Sequence, residues 1–143
     1  MGSDLKVGDV MMKTVVTAST NDSIEFVAKL MKKNNVGSII VVDGTEKSVA
    51  KGIITERDIV YKLVAQKKNI ESSAAKDVMS KPLRVVKPET TLEQAATAMR
   101  ENKIKRLPVV NDKNELIGIL SEGDIMRIFP SVIDLVEEKA ALH

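Results

Sequence analysis

The sequence predicts an α/β (α+β) fold: two β-α-β-β-α units packed around a pseudo-two-fold axis through their sheets. The first observation behind this is internal repetition. Asp9-Val10-Met11-Met12-Lys13 overlays Asp77-Val78-Met79-Ser80-Lys81 at a shift of 68 residues, and the register continues through Glu25/Glu93, Ala28/Ala96, Met31/Met99, Asn34/Asn102, Val41/Val109 and Val42/Val110. After a two-residue slip it resumes at a shift of 66, with Gly52/Gly118, Ile53/Ile119, Glu56/Glu122, Asp58/Asp124 and Ile59/Ile125. Fifteen identical pairs in about 55 positions, all in one order, define two copies of one unit. The second observation is that the apolar period changes in the same sequence in both copies. The third is size: a unit of ~55 residues buries only about 60% of its unfolded surface and is marginal alone. Two such units are expected to pack on each other.

Each element can be read in turn. A short extended piece opens each copy, Thr14-Val15-Val16 and Leu83-Arg84-Val85-Val86. A helix follows, with Asp22 or Thr90 as the expected N-cap and Glu25 or Glu93 three residues on. Its apolar face is Ile24, Val27, Ala28 and Met31 in one copy and Leu92, Ala95, Ala96 and Met99 in the other. Asn34-Asn35 and Asn102-Lys103 end the helices. A strand comes next (Ser38 to Val42; Leu107 to Val110), then a polar turn where the slip falls, Asp43 to Ser48. A second strand (Gly52 to Ile54; Leu116 to Leu120) runs into a second helix starting at Thr55 or Ser121. The expected division is 7–66 for the first unit, 67–75 for a linker, 76–130 for the second unit and 131–143 for a C-terminal tail with a helical, amphipathic pattern.

Composition narrows the function classes. Hydrophobic residues make up 43% of the 143 residues and charged ones 29%, the balance of a globular chain. The net charge of +2 supplies no field that would draw the chain to nucleic acid or anionic lipid. With no Cys there is no disulfide, thiolate nucleophile or thiolate-bound metal, and the one His, His143, is the last residue. Phe26, Tyr61 and Phe129 are too few aromatics for a nucleic-acid stacking platform. No apolar run approaches the ~18 residues of a membrane span, and the opening residues hold no signal-peptide core. The expectation is a cytoplasmic protein that binds rather than catalyses, with no metal and no cofactor. Clefts between repeats are the expected place for a small ligand.

The repeat unit resembles the CBS domain, and the pair resembles a tandem CBS (Bateman) module. The residues that carry the likeness are Asp9-Val10-Met11, Val36 to Asp43, Gly52 to Ile59, Asp77-Val78-Met79, Lys105 to Val110 and Gly118 to Ile125. The resemblance implies a regulatory module that binds an adenosine-containing ligand. AMP, ADP or ATP leads, S-adenosylmethionine is a further candidate, and energy sensing is the associated role. It also implies an effector on a separate protein and a homodimer.

Thr55-Glu56-Arg57-Asp58 and Ser121-Glu122-Gly123-Asp124 read first as helix caps with acids in the first turn. A carboxylate at the third helical position also suits a ribose, whose two hydroxyls donate to its two oxygens. By the resemblance, each cleft is shared between copies. Site A would join Thr55, Arg57 and Asp58 to Leu83, Arg84, Val85, Lys105, Arg106 and Pro108. Site B would join Ser121 and Asp124 to Met11, Val15, Val16, Val36, Gly37 and Ser38. Arg84, Lys105 and Arg106 make site A the basic cleft, whereas Val16, Gly37 and Ser38 leave site B uncharged. Phosphate is therefore expected in A. The apolar members read equally well as ordinary core.

Two other classes stay open from sequence: a structural dimerisation module with no physiological nucleotide, and a nucleic-acid-binding accessory protein. The expected dimer face combines Ile59, Val60 and Leu63 with Ile125, Ile128 and Phe129.

Overall fold

The structure is a computed structural model that describes residues 5–46, 48–81 and 84–128. Elements in chain order are α1 (Val7–Val10), β1 (Thr17–Ser19), α2 (Ile24–Asn34), β2 (Ser38–Val42), β3 (Ala50–Thr55), α3 (Glu56–Ile59), α4 (Ala75–Val78), α5 (Leu92–Asn102), β4 (Arg106–Val110), β5 (Leu116–Ser121) and α6 (Glu122–Ile128). A π turn, Val60–Val64, extends α3, and a 3-10 turn, Ile70–Ser72, precedes α4. The segment read as a linker thus carries regular structure.

In the first repeat β1 runs parallel to β2, as a strand–helix–strand crossover requires, and β2 pairs antiparallel with β3. Among the described residues the second repeat has the antiparallel pair β4-β5, with Val86 bridging in parallel to Val109 where β1 would lie. Both hairpins carry the same irregularity, between Val41 and Val42 and between Val109 and Val110. The expected opening strands are corrected accordingly. Pairing begins at Thr17 rather than Thr14, because Val15 packs into the contact between the sheets and Val16 against the first core.

The long helices also begin one residue later than expected. Ser23 and Thr91 are the N-caps, their hydroxyls accepting from Phe26 N–H and Gln94 N–H. Asp22 instead closes the preceding turn on Ser19 N–H, and the Thr90 hydroxyl accepts from Lys87 N–H. Both helices end on a left-handed residue, Asn35 and Lys103, each at φ 53°. That conformation is familiar for asparagine and uncommon for lysine.

Each repeat sends its first helix into the other repeat's core. Val7 of α1 is fully buried with Leu92, Ala95, Met99, Leu107, Val109 and Leu120. Ala75 and Val78 of α4 are buried with Ile24, Val27, Ile39, Val41, Ile54 and Leu63. Backbone bonds seal the exchange: Val7 N–H donates to Thr90 carbonyl at 2.8 Å and Ala75 N–H to Asp22 carbonyl at 2.8 Å. Just beyond each helix the chain adds an edge pair, Met12 with Ile119 and Ser80 with Ile53. A third apolar cluster, Ile40, Val42 and Ile119 with Val15, Ala50, Ile53 and Leu116, joins the two sheets. The two units therefore face each other sheet to sheet about a pseudo-two-fold relation, as the sequence predicts. Leu63, expected on an exposed dimer face, is only 3% exposed. It lies one turn beyond Ile59, which packs on the same core, and four-residue spacing keeps both on one side.

The exchanged segments explain two repeat-matched glycines. A Cβ on Gly52 would lie 2.9 Å from the Ser80 carbonyl oxygen, and one on Gly118 would lie 3.0 Å from the Met12 carbonyl oxygen. Those carbonyls are tied into the edge pairs and cannot withdraw without breaking them. Gly52→Ala and Gly118→Ala are each expected to destabilise the fold by about 1–3 kcal/mol in urea unfolding. At Gly123, within α6, an added Cβ meets only Ser121 Oγ at an ordinary 3.7 Å. Gly123→Ala is expected to stabilise by about 0.4–1 kcal/mol, so the three variants should separate in sign.

Candidate functional site

Two turns, one per repeat, carry the carboxylates singled out from sequence. The Thr55 hydroxyl caps α3 by accepting from Asp58 N–H at 3.1 Å, and Asp58 Oδ2 accepts from Thr55 N–H at 2.9 Å. The same Oδ2 accepts from the Thr55 hydroxyl at 3.1 Å. Ser121 and Asp124 repeat this, with bonds of 3.1 Å to Ser121 Oγ and 2.9 Å to Asp124 Oδ2. The Thr/Ser-x-x-Asp spacing is a capping box, so one carboxylate oxygen is spent on the backbone and Oδ1 is left for other partners.

Those second oxygens are engaged differently. Asp58 Oδ1 accepts from the Ser80 hydroxyl at 2.9 Å and lies 3.2 Å from Lys62 Nζ. Lys62 also donates to the Val78 carbonyl at 2.9 Å and to the Ser80 hydroxyl at 3.2 Å, tying the π turn to the exchanged segment. Burial pushes the Asp58 carboxyl up, but bonds from Thr55 N–H, the Ser80 hydroxyl and the Lys62 ammonium outweigh it and hold the group below its ordinary range. Asp124 is 5% exposed, the single buried charged side chain among the described residues, and its Oδ1 pairs with Arg127.

A segment running between the repeats meets each turn. From Ser80, bonded to Asp58, the chain reaches Val86, whose N–H donates to the Pro108 carbonyl at 3.0 Å. Arg84, exposed, and Val85, half-buried, lie on that span; Leu83 lies outside the described residues. On the other side Met12 pairs with Ile119, two residues before Ser121. The chain then reaches Thr17 opposite Ile40, two residues past Ser38. Val15 and Val16 lie on this second span, and Met11 packs against the second core.

The remaining candidates sit at the strand entries. Lys105 is exposed, Arg106 is half-buried and Pro108 is buried. Arg106 pairs with Ser121 across β4-β5, and Ser38 pairs with Thr55 across β2-β3. Each repeat therefore places a member of one expected cleft beside a member of the other. Val36 packs on the first core, and a Cβ on Gly37 would fall 2.5 Å from Glu56 Oε1. The Ser38 hydroxyl is buried and makes no hydrogen bond among the described residues. Arg57 lies over the Tyr61 ring, 4.8 Å from its centre, in a cation–π contact. Sequence reasoning missed Lys62, Ser80 and Arg127. Lys62 and Arg127 had a visible signal, a cation four or three residues after the aspartate. Ser80 had none, because only the exchange brings it to Asp58.

The carboxyl of Asp58 is depressed in the folded protein relative to its ordinary value of 3.8. Its contribution is therefore complete above that value and is lost as pH falls through the lower folded-state one. Asp58→Asn is expected to lower stability at neutral pH and to flatten the acid limb of stability below about pH 4, measured by urea unfolding at several pH values.

The CBS domain family profile matches residues 7–65 and 75–131. The CBS domain-containing protein YhcV of Bacillus subtilis is 41% identical over 119 residues, covering 83% of this chain and 81% of that one. An uncharacterized protein of Methanopyrus kandleri, MK0525, is 36% identical over 135 residues, covering 94% and 68%. Among solved structures, the CBS domain pair of protein MJ0100 in complex with 5′-methylthioadenosine and S-adenosyl-L-methionine superposes with a TM-score of 0.76. It is 31% identical and the match covers 87% of this chain and 98% of that one. A hexameric CBS-CP12 protein from bloom-forming cyanobacteria gives a TM-score of 0.72 at 34% identity, covering 85% and 69%. No helix among the described residues is long and apolar enough to cross a membrane. Matched over both repeats by sequence and over most of its length by fold, the chain belongs to the CBS domain family and carries two CBS units in tandem.

Proposed function

We propose that the chain is a non-catalytic regulatory module that binds an adenosine-containing ligand in clefts between its repeats and signals to a separate protein. One observation carries this reading. Each repeat holds a carboxylate in a capping box, and a segment crosses from that repeat to its neighbour beside it. The ribose hydroxyls would donate to Asp58 or Asp124, and the crossing segments, with Val85 or with Val15 and Val16, would flank the adenine. The MJ0100 pair, bound to two adenosine compounds, supports the ligand class.

AMP, ADP and ATP are the preferred ligands because the residues assigned to cleft A include three cations. Thr55 and Asp58 would take the ribose, with Arg84, Lys105 and Arg106 toward the phosphate. Site B, built on Ser121 and Asp124 with Met11, Val36, Gly37 and Ser38, has Arg127 held on Asp124 as its cation and would suit a phosphate-free adenosine. Arg57 is the weakest member of site A, since it stacks on Tyr61.

The structural-module reading draws on a different observation: both aspartates already have partners in their own chain, Lys62 with Ser80 and Arg127. A thermal-shift panel of AMP, ADP, ATP, S-adenosylmethionine and methylthioadenosine separates the two readings. A ligand at 100 times its dissociation constant stabilises the fold by about 2.7 kcal/mol, several degrees of melting for a domain of this size. No shift with any compound favours the structural module.

Calorimetry with AMP tests the assignment of sites. One charge-assisted bond contributes about 1.5–3 kcal/mol, or about ten- to a hundred-fold in affinity. Asp58→Ala or Arg106→Ala is expected to abolish the tighter binding event, and Asp124→Ala to leave it nearly intact. Equal losses from both aspartates would refute the charge argument.

A homodimer belongs to the same proposal. Val60, Tyr61 and Val64 are 49%, 56% and 68% exposed along the extension of α3, an apolar edge that a second copy would cover. Light scattering at micromolar concentration is expected to return twice the chain mass.

A further inference from the structure

The two candidate carboxylates differ in how much room they leave for a ligand. A carboxylate has acceptor positions for about four donors. Asp58 fills them within its own chain: Oδ2 receives the N–H and the hydroxyl of Thr55, and Oδ1 receives the Ser80 hydroxyl and the Lys62 ammonium. Among the described residues Asp124 accepts from two groups, Ser121 N–H on Oδ2 and Arg127 on Oδ1. A ribose brings two hydroxyl donors. Asp124 has acceptor positions for both, whereas Asp58 must first release two of its own partners.

Which partners give way follows from what holds them. Both Thr55 groups belong to the cap of α3 and are fixed by it. The Lys62 side chain is 40% exposed, so water can replace what its ammonium loses. The backbone beneath it is irregular as well. Ala65 N–H donates to the Val60 carbonyl at 2.8 Å, a step of five residues where an α-helix takes four. In the second repeat α6 runs as an α-helix from Glu122 to Ile128, and its cation follows the aspartate by three residues instead of four.

We propose that Lys62 competes with the ribose for Asp58, so that a ligand enters this cleft by displacing the ammonium and the Ser80 hydroxyl from Oδ1. The inference rests on the nucleotide reading above, in which Asp58 takes the ribose. Lys62 also donates to the Val78 carbonyl at 2.9 Å and to the Ser80 hydroxyl at 3.2 Å. Its departure from Asp58 therefore loosens the tie between the π turn and the exchanged segment. That turn carries Val60, Tyr61 and Val64, the exposed apolar edge, and Tyr61 lies 4.8 Å from Arg57 of α3. Occupancy of the cleft is thereby passed to the edge that a second copy would cover.

The test uses the full chain, whose one tyrosine gives a single fluorine resonance, at Tyr61, when 3-fluorotyrosine is incorporated. Adenosine is the probe, because it has no phosphate on which the lysine charge could act directly. Titration with adenosine is expected to shift the Tyr61 resonance, and the midpoint of that shift reports the cleft at Asp58 rather than the one at Asp124. Lys62→Met keeps the aliphatic stem and removes the ammonium. It is expected to bind adenosine about two- to five-fold more tightly, the range of a partly exposed ion pair. Ser80→Ala, which removes the other donor to Oδ1, is expected to act in the same direction, and Lys62→Arg to return the affinity to that of the unaltered chain. A lysine with a merely structural role would leave the affinity unchanged or weaken it, and either result overturns the proposal. A Tyr61 resonance that stays fixed while calorimetry records adenosine binding overturns it too. If calorimetry records no binding of adenosine or AMP to any of these chains, the ribose reading itself falls, and the competition with it.

Discussion

The reciprocal exchange of the segments leading each repeat governs the rest of the structure, because neither repeat closes its core without the other's first helix. α1 and α4 are four residues each, far too short to persist as free helices, and their order comes from burial of Val7 on one side and Ala75 with Val78 on the other. Past each helix the chain pairs with a hairpin edge, Met12 on β5 and Ser80 on β3, and covers backbone groups that would otherwise invite another strand. Glycine at 52 and 118 is the steric condition for that approach, with Met79 or Met11 lying against the space where a side chain would stand. Two marginal units thus become one cooperative body.

The same exchange builds the candidate clefts. Ser80 reaches Asp58 only because α4 is anchored in the first core, and from Ser80 the chain runs on to Val86 beside β4. The mirror path from Met12 to Thr17 links β5 to β2. Each carboxylate therefore stands where an exchanged strand leaves one repeat for the other. The proposed ligand-binding role rests on that placement.

The pseudo-symmetry is broken where charge matters. Asp58 is held by a lysine four residues on and a hydroxyl from the exchanged segment, Asp124 by an arginine three residues on. The strand entries differ as well, Val36-Gly37-Ser38 against Ile104-Lys105-Arg106. Duplication supplied two equal frames, and a few side chains make them chemically unequal.

By itself the sequence determined the repeat, the two hairpins, the ends of the long helices at Asn34-Asn35 and Asn102-Lys103 and the helix caps at Thr55 and Ser121, all of which rest on contacts a few residues long. Where two neighbours could both cap, as at Asp22-Ser23 and Thr90-Thr91, local pattern could not choose. The tertiary fold decided, since the Asp22 carbonyl receives Ala75 from the exchanged helix and Asp22 is fixed in the turn. Val15 and Val16 were legible as apolar but not as separate commitments, one to the contact between sheets and one to the first core. Above all, the sequence was silent on which core each Asp-Val-Met segment enters. The two segments and the two cores are near copies, so pattern is unchanged when they are swapped, and only the path of the connected chain in three dimensions distinguishes the partners.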